Sequence, residues 1–170
     1  MEIITTITQL KDELSDTIPS ERPGIMKKIQ IPASEFTEYE TWSESSYTRN
    51  CLFRDEEFEL ILICWSAKSK SPIHDHDQKD CWIYQVKGEL IEKRYELENE
   101  TPVLKQSFCI KTGELTYMHD RMGYHEIIND TDESSCSLHI YAAPIDTCEV
   151  YCPENKQFET KELSYDTELV

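Results

Sequence analysis

The chain has 170 residues, of which 38% are hydrophobic and 30% are charged, and its formal net charge at pH 7 is −17. This length suits one domain with a full hydrophobic core, so we expect a single domain over residues 1–170. So acidic a surface repels phosphate groups, which argues against nucleic acid or an anionic membrane as a partner.

The first residues and the cysteines indicate the compartment. The amino-terminal stretch lacks the basic and then apolar pattern of a signal peptide. No apolar run reaches the roughly 20 residues that are needed to span a bilayer. The seven cysteines, an odd number without a Cys-x-x-Cys pair, fit free thiols in a reducing compartment better than a disulfide framework. We therefore expect a cytoplasmic protein, and a monomer.

The amino-terminal segment, about residues 1–42, is predicted to be helical. Apolar residues recur in it at helical spacing, and two prolines follow them: Ile3, Ile4, Ile7, Leu10, Leu14, Pro19 and Pro23. A second, shorter helix is predicted over 33–41. We expect both helices to pack on the side of a larger core.

The pattern changes to short strands at Tyr47. Residues 58–65 predict a strand that is buried on both faces, and Gly88 marks the turn of a hairpin between 82–86 and 89–95. Further strands are predicted over 105–110, 115–118, 126–128, 136–141 and 149–151. Many short strands after a helical start predict an all-β sandwich or closed barrel over about 47–155. The acidic tail, 159–170, is expected to fray.

All five histidines lie between positions 74 and 139. On an extended backbone the side chains of His74 and His76 share one face, because facing alternates along a strand. A lone histidine is more often a satisfied core or surface residue. A His-x-His pair with His125 downstream is instead typical of a transition-metal site, since neutral imidazole suits iron, zinc, copper and nickel. His119, next to a predicted turn, is interpreted as a surface histidine.

A second strand-like run also places chemistry on one face. Ser137, His139 and Tyr141 alternate with apolar residues, so a hydroxyl, an imidazole and a phenol point the same way. A serine hydrolase is not indicated, because there is no Gly-x-Ser-x-Gly elbow. The run instead adds a proton-handling group to the predicted metal site.

The spacing His74-x-His76-x(4)-Cys81-x(6)-Gly88 resembles the first signature of the cupin superfamily, and Gly123-Tyr124-His125-x(3)-Asn129 resembles the second. Within the cupins the chain is most similar to the cysteine dioxygenases. That resemblance extends from about Tyr47 to Cys148, through Tyr47-Thr48-Arg49-Asn50, Cys64-Trp65, Ile73-His74-Asp75-His76, Cys81, Gly123-x-His125, Ser137-Leu138-His139-Ile140-Tyr141 and Asp146-Thr147-Cys148. It implies an all-β fold, a cupin β-barrel or jelly-roll-like sandwich with short amino-terminal helices.

The resemblance also implies an activity, the oxidation of L-cysteine by O2 to cysteine sulfinic acid at mononuclear Fe(II). His74, His76 and His125 are the implied metal ligands, and open positions on the metal would take the substrate thiolate and amine and dioxygen. Arg49 is the implied binder of the substrate carboxylate, because a guanidinium presents a planar, always charged fork. Tyr47, at i−2, is expected to share its facing.

For the Ser137, His139 and Tyr141 run, the resemblance implies a relay: serine holds histidine, histidine bonds the tyrosine hydroxyl, and the phenol reaches substrate or oxygen. Cys81 stands where cupins usually have an acidic residue. In animal-type cysteine dioxygenases the cysteine similar in position is joined by a thioether to the active-site tyrosine, here Tyr141. The alternative without a chemical role is that Cys81 is an inert buried thiol. Trp65 and Cys148 match family positions near the pocket. Neither is assigned a catalytic role, because a tryptophan in a strand is more often a core residue and the role of Cys148 is left open.

The chain departs from the family motifs at two places, and two other functions are compatible with the same residues. Lys68 replaces the glycine that opens the first signature, and Ala142-Ala143-Pro144 replaces the family's Ser-Pro-Pro. A dioxygenase for 3-mercaptopropionate or cysteamine would have the same fold, although the mercaptopropionate type carries glutamine in place of Arg49. A third hypothesis is a non-enzymatic metal-binding cupin that senses small thiols or iron, or a structural zinc protein.

Overall fold

The computed structural model describes residues 2–169; Met1 and Val170, the outer ends of the predicted helical segment and tail, lie outside the described residues. Helix α1 spans Ile7–Asp16 and helix α2 spans Arg22–Met26, with 3₁₀ helices over Pro19–Glu21, Ala33–Tyr39 and Asp120–Met122. Helix α1 begins later than the apolar pattern suggests, because the Thr6 hydroxyl caps it by accepting from the Gln9 amide at 3.1 Å. The second predicted helix is a 3₁₀ helix.

Eleven strands make up most of the rest of the described chain. They are β1 (Tyr47–Arg54), β2 (Glu59–Trp65), β3 (Cys81–Lys87), β4 (Glu89–Glu98), β5 (Thr101–Lys111), β6 (Leu115–Met118), β7 (Tyr124–Ile128), β8 (Ser135–Tyr141), β9 (Thr147–Cys152), β10 (Gln157–Glu162) and β11 (Thr167–Glu168). A six-stranded sheet has the order β11-β1-β2-β8-β3-β6. Strands β5-β4-β7 form a second sheet and β9-β10 a third. Within residues 2–169 these three sheets do not close into a barrel, so the predicted closed barrel is wrong, because the strands hydrogen-bond in three separate groups.

Alternation along the central strands divides the core into two layers. Leu60, Leu62 and Cys64 of β2 pack on the amino-terminal helices, whereas Ile61, Ile63 and Trp65 point to the other face, toward β4 and β7. This explains why β2 is buried along its whole length, as its continuous apolar run predicts. Strand β8 divides in the same way, with Cys136, Leu138 and Ile140 on the helix side. The extent of the domain over 1–170 stays a prediction.

The prediction of a fraying tail is wrong. Strand β10 pairs with β9 in antiparallel fashion, and β11 pairs in parallel with β1 through Asn50 and Cys51. The acidic composition suggested disorder, but these pairings satisfy the backbone along both strands. The strand region therefore extends past residue 155. No helix within residues 2–169 combines the length and the apolar character needed to cross a bilayer.

Candidate metal centre and substrate cavity

His74, His76 and His125 come together although they lie far apart in the sequence. Their potential ligand atoms all lie within 4.8 Å of one another. His125 is on β7, and its backbone exchanges two hydrogen bonds with the backbone of His74, of 2.9 and 3.1 Å. The Nε2 atoms of His76 and His125 are 3.0 Å apart. The structure thus brings the three predicted ligands to one point.

The local backbone differs from the regular strand that the His-x-His pattern predicts. His74 makes isolated bridges to His125 and Val150, and positive φ angles at Asp77 and Gln78 turn the chain immediately after His76. The outcome nevertheless follows the prediction: Asp75 is not part of the ligand group, and its carboxylate accepts from the Glu149 amide at 2.8 Å. The pairing of this segment with β7 and β9 therefore aligns the imidazoles, without a continuous strand.

Gly123 allows β7 to lie close against β4. Its φ is +96°, and a Cβ at this position would lie 2.1 Å from the carbonyl oxygen of Tyr95. An L side chain is excluded by that contact and strained by that angle. The glycine two residues before His125, part of the second cupin-like signature, thus has a steric reason.

A second layer of groups orients each imidazole from behind. The Nδ1 atom of His74 lies 2.9 Å from the carbonyl oxygen of Pro72, and that of His125 lies 3.1 Å from Glu92 Oε1. His76 Nδ1 is 3.6 Å from Asp120 Oδ1, too far for a hydrogen bond, and Asp120 Oδ1 accepts from the His76 amide at 2.8 Å. When the ring proton is on Nδ1 and faces an oxygen, the lone pair of Nε2 remains free to bind a metal ion. The rings of His74 and His125 are therefore set up to bind a metal through Nε2, and the nearby Asp120 carboxylate favours the same orientation of His76.

Burial keeps these imidazoles neutral. It lowers the pKa of His74 to about 3 and that of His76 to about 4, with a smaller effect from the neighbouring histidine in each case. The pKa of His125 is lowered by the same cause. Burial alone would raise the pKa of Glu92, but hydrogen bonds from His125 and Arg94 outweigh it and hold that pKa at about 2. An ionised Glu92 therefore faces a neutral His125 at neutral pH.

This donor set fits a transition-metal ion. Two neutral imidazole nitrogens that face each other at 3.0 Å repel unless a proton or a cation lies between them. Two nitrogens that bind one ion at roughly 2.1 Å, with a right angle between the bonds, are about 3.0 Å apart. Within residues 2–169 the cluster of potential ligands holds these three histidines and no carboxylate. A divalent ion bound here would keep its full charge.

Strand β8 carries Ser137, His139 and Tyr141 on the face opposite to its apolar residues, as predicted. Ser137 Oγ is 2.9 Å from His139 Nε2, and His139 Nδ1 is a longer 3.4 Å from the Tyr141 hydroxyl. The Trp65 indole, which only donates, gives its N–H to Ser137 Oγ at 2.9 Å. When the serine hydrogen points to His139 Nε2, the ring carries its proton on Nδ1 and donates it to the Tyr141 hydroxyl. This order leaves the phenol hydrogen free to point elsewhere.

The protonation states agree with that order of donors. Burial lowers the pKa of His139 well below its ordinary value, and the nearby histidines lower it further. Burial raises the pKa of Tyr141 well above its ordinary value, with a contribution from Cys81. The relay therefore consists of a neutral imidazole and a protonated phenol at neutral pH.

Cys81 and Tyr141 are direct cross-strand partners in the β3–β8 ladder. The Cys81 side chain is fully buried, and burial keeps its pKa well above the ordinary value, so the sulfur is a thiol. Paired residues on adjacent antiparallel strands have neighbouring side chains. This register supports the predicted thioether, which itself stays a prediction.

Arg49 and Tyr47, two residues apart on β1, line one cavity of about 60 Å³ together with His74, His76 and Tyr141. The Tyr47 ring packs against Trp65, with centroids 4.8 Å apart. Arg49 is half-buried and donates from Nη1 to the carbonyl oxygen of Ser164 at 3.0 Å. The predicted carboxylate binder and two of the three predicted metal ligands therefore line the same cavity.

Residues without a predicted catalytic role also line the cavity. Trp65, predicted to be a core residue, and Cys148, whose role the sequence leaves open, are both in its lining, and Trp65 donates to Ser137. Lys161 on β10 also lines it. His119 lies outside the cavity lining, caps the 3₁₀ helix at 120–122 and accepts from the Arg121 amide at 3.0 Å. Of these three lining residues, Trp65 and Cys148 could have been identified from the sequence, because they match family positions near the pocket, whereas nothing in the sequence pointed to Lys161.

The chain matches known proteins over most of its length. A family model described as cysteine dioxygenase type I matches residues 3–154. Cysteine dioxygenase type 1 of Homo sapiens is 28% identical over 133 residues, which cover 75% of this chain. The chain spans 66% of the length of that human relative. The protein of the same name from Danio rerio is 24% identical over 172 residues, covering 96% of this chain and 84% of the relative.

Solved structures agree on the fold. A protein with a double-stranded β-helix domain from Klebsiella pneumoniae has a TM-score of 0.53 at 15% identity, covering 75% of this chain and 94% of that chain. A protein from Thermus thermophilus has the same TM-score and identity, with 64% and 93% covered. The predicted cupin class, which is the double-stranded β-helix, is confirmed. Since a family model matches residues 3–154 and the predicted ligand triad converges, the chain belongs to the cysteine dioxygenase type I family.

Proposed function

We propose that the protein is an Fe(II)-dependent thiol dioxygenase that converts L-cysteine and O2 to cysteine sulfinic acid. The observation that carries this proposal is that three neutral imidazoles converge on one point, and that two of them, His74 and His76, line the same cavity as Arg49. The relatives named cysteine dioxygenase type 1 add support for cysteine as the substrate. The reaction balances without a further reductant, because the thiol sulfur loses the four electrons that dioxygen gains.

Iron is proposed over zinc because the reaction needs a redox-active ion, which zinc is not. His74, His76 and His125 would hold it. When bound, iron would supply the redox chemistry with dioxygen and attract the thiolate sulfur. Uncharged ligands favour that attraction, since they leave the ion's double charge uncompensated.

Substrate orientation is assigned to Arg49 and Tyr47. A guanidinium forms paired, charge-assisted hydrogen bonds with a carboxylate, and the half-buried position of Arg49 strengthens them relative to open water. Tyr47, with its ring fixed against Trp65, offers a second donor on the same wall. Apolar side chains of Ile63, Ile127 and Ile145 complete the cavity and limit its water.

Tyr141 is assigned the handling of protons beside the substrate. Its own hydrogen is left free by the order Trp65, Ser137, His139, so the phenol can donate to substrate or oxygen. A Cys81–Tyr141 thioether would fix the phenol in this position and reduce its freedom. His139 and Ser137 act through Tyr141 and hold it in place.

The direct test is aerobic turnover by iron-loaded protein. We expect oxygen uptake with L-cysteine and formation of cysteine sulfinic acid, identified by mass spectrometry. We expect 3-mercaptopropionate and cysteamine to be poorer substrates, since the first lacks the amine and the second lacks the partner of Arg49. Failure of the iron-loaded protein to oxidise any small thiol would refute the proposal. A site that retains only zinc after purification would favour the structural or sensor alternative.

We also propose a cytoplasmic monomer. All seven cysteines are free thiols, which suits a reducing compartment. The large exposed apolar side chains, among them Ile18, Leu104 and Leu169, are distributed over different elements. Light scattering of the purified protein measures the oligomeric state directly, and a dimer would contradict this part.

A further inference from the structure

The C-terminal segment, residues 163–166, contacts Arg49 on the edge of β1 that faces away from β2. The family model matches residues 3–154, so this segment lies beyond the range that the model covers. It follows β10 and leads into β11, which extends the six-stranded sheet beyond β1. Leu163 lines the substrate cavity with Arg49.

The backbone of Arg49 is held on both edges of β1. On one edge Arg49 pairs with Ile63 of β2. On the other, its amide donates to the Asp166 carboxylate at 2.8 Å, and its carbonyl oxygen accepts from the Asp166 amide at 2.7 Å. The origin of the arginine side chain is therefore fixed by the segment as well as by the sheet.

The guanidinium is held too. Its Nη1 donates to the carbonyl oxygen of Ser164 at 3.0 Å, and its carbon lies 5.4 Å from the centroid of the Tyr165 ring. Such a distance allows a cation–π interaction. Arginine has five N–H groups, so donors remain for a bidentate partner. The arginine is thus stacked and oriented before a carboxylate arrives.

Tyr165 is itself anchored. Its hydroxyl accepts from Arg54 Nη1, and Arg54 also binds the Asp146 carboxylate at 2.6 Å. Arg54 lies 3.5 Å from the fully buried carboxylate of Glu59. These contacts connect the ring over Arg49 to the buried end of β2.

We propose that Tyr165, together with the Ser164 carbonyl, is the positioning element of the carboxylate site and determines the preference for thiols that carry a carboxylate. The inference rests on the proposed function. A long arginine side chain loses conformational freedom when it binds, and an arginine already fixed by stacking loses less. The C-terminal segment therefore contributes affinity for the carboxylate without touching the reacting sulfur.

The test compares Tyr165→Ala with wild type on two thiols. We expect the KM for L-cysteine to rise roughly threefold to tenfold, with kcat retained, because stacking on arginine affects binding and not the chemistry. The KM for cysteamine, which has no carboxylate, should stay unchanged. Tyr165→Phe keeps the ring and should retain most of the affinity. Leu169→Ala, an exposed side chain in the same tail, is the matched control.

Equal changes with both thiols, or no change with L-cysteine, would overturn the inference. In an Arg49→Ala background Tyr165→Ala should have no further effect on KM, which a general loss of stability would not reproduce. Tyr165→Leu replaces Tyr165→Ala if the smaller side chain unfolds the protein. Anaerobic binding of L-cysteine to the metal-loaded protein gives the same comparison without turnover. A wild type that binds L-cysteine but does not oxidise it refutes the proposed function alone.

Discussion

Two walls of the same cavity are built in different ways. Ser137, His139 and Tyr141 lie on a regular strand that is buried throughout and paired on both sides, with β2 and β3. The histidine wall combines β7 with an irregular segment that makes only isolated bridges. The backbone ladder fixes the relay, whereas contacts with Pro72, Glu92 and Asp120 orient the imidazoles. Substitutions should therefore separate metal binding from proton handling.

Loss of a ligand should break the histidine wall with the largest effect. We expect His76→Ala to lower metal affinity and turnover by more than about 100-fold, because even the groups behind the ligands influence affinity by such factors. Metal content after dialysis and oxygen uptake are the measurements. The β8 wall should remain folded, so near-ultraviolet circular dichroism should be unchanged. Metal content equal to wild type would contradict the three-histidine site.

Removal of the phenol hydroxyl should break the β8 wall while the metal stays bound. Tyr141→Phe keeps the ring and removes the group that donates hydrogen bonds, so we expect kcat to fall roughly 10²-fold or more. Metal content should equal that of wild type. Steady-state kinetics with metal analysis of the same sample checks this. A parallel loss of metal would show that the two walls are not separable.

A smaller effect should distinguish orientation of a ligand from ligation. Glu92→Gln replaces the carboxylate that accepts from His125 and also binds Arg94 and Thr116. We expect metal affinity to fall about 10-fold to 100-fold, since a neutral amide holds and polarises the imidazole less. Competition with a chelator measures it. Glu126→Gln is the matched control, because this buried carboxylate next to His125 bonds Tyr95 instead. Equal effects of both substitutions would contradict a specific role for Glu92.

The sequence was most informative where function depends on local spacing. Alternation places Ser137, His139 and Tyr141 on one face of any strand, and the turn glycine Gly88 sets the β3–β4 hairpin. The His-x-His pair identified two ligands although its backbone is not a regular strand, because the two imidazoles still lie on the same side of the chain. In each case the residues involved lie within a few positions of one another.

Features that depend on distant partners could not be read in this way. The tail looked too acidic to be ordered, but its order comes from contacts with Arg49, more than one hundred residues earlier. Trp65 donates to Ser137 across the β2–β8 ladder, and a strand tryptophan gives no sign of such a bond. Glu92 behind His125 is likewise visible only after β4 and β7 are paired. The tail contacts, the Trp65–Ser137 hydrogen bond and the position of Glu92 all depend on how distant strands pair, which local sequence patterns do not reveal.

The smallest predicted effect is on the pH dependence of stability, and it isolates the β8 wall. Because burial lowers the pKa of His139, the unfolded chain binds a proton below about pH 6.5 that the folded chain does not. The free energy of unfolding should therefore decrease as pH falls from about 7 to 5. His139→Gln should make this decrease shallower by at most about 1.4 kcal/mol per pH unit, the value for one proton. Urea unfolding of metal-free protein measures it, with His119→Gln as the control outside the cavity. Identical slopes in wild type and His139→Gln would mean that the pKa of His139 is the same in the folded and the unfolded chain, which would contradict a buried, neutral His139.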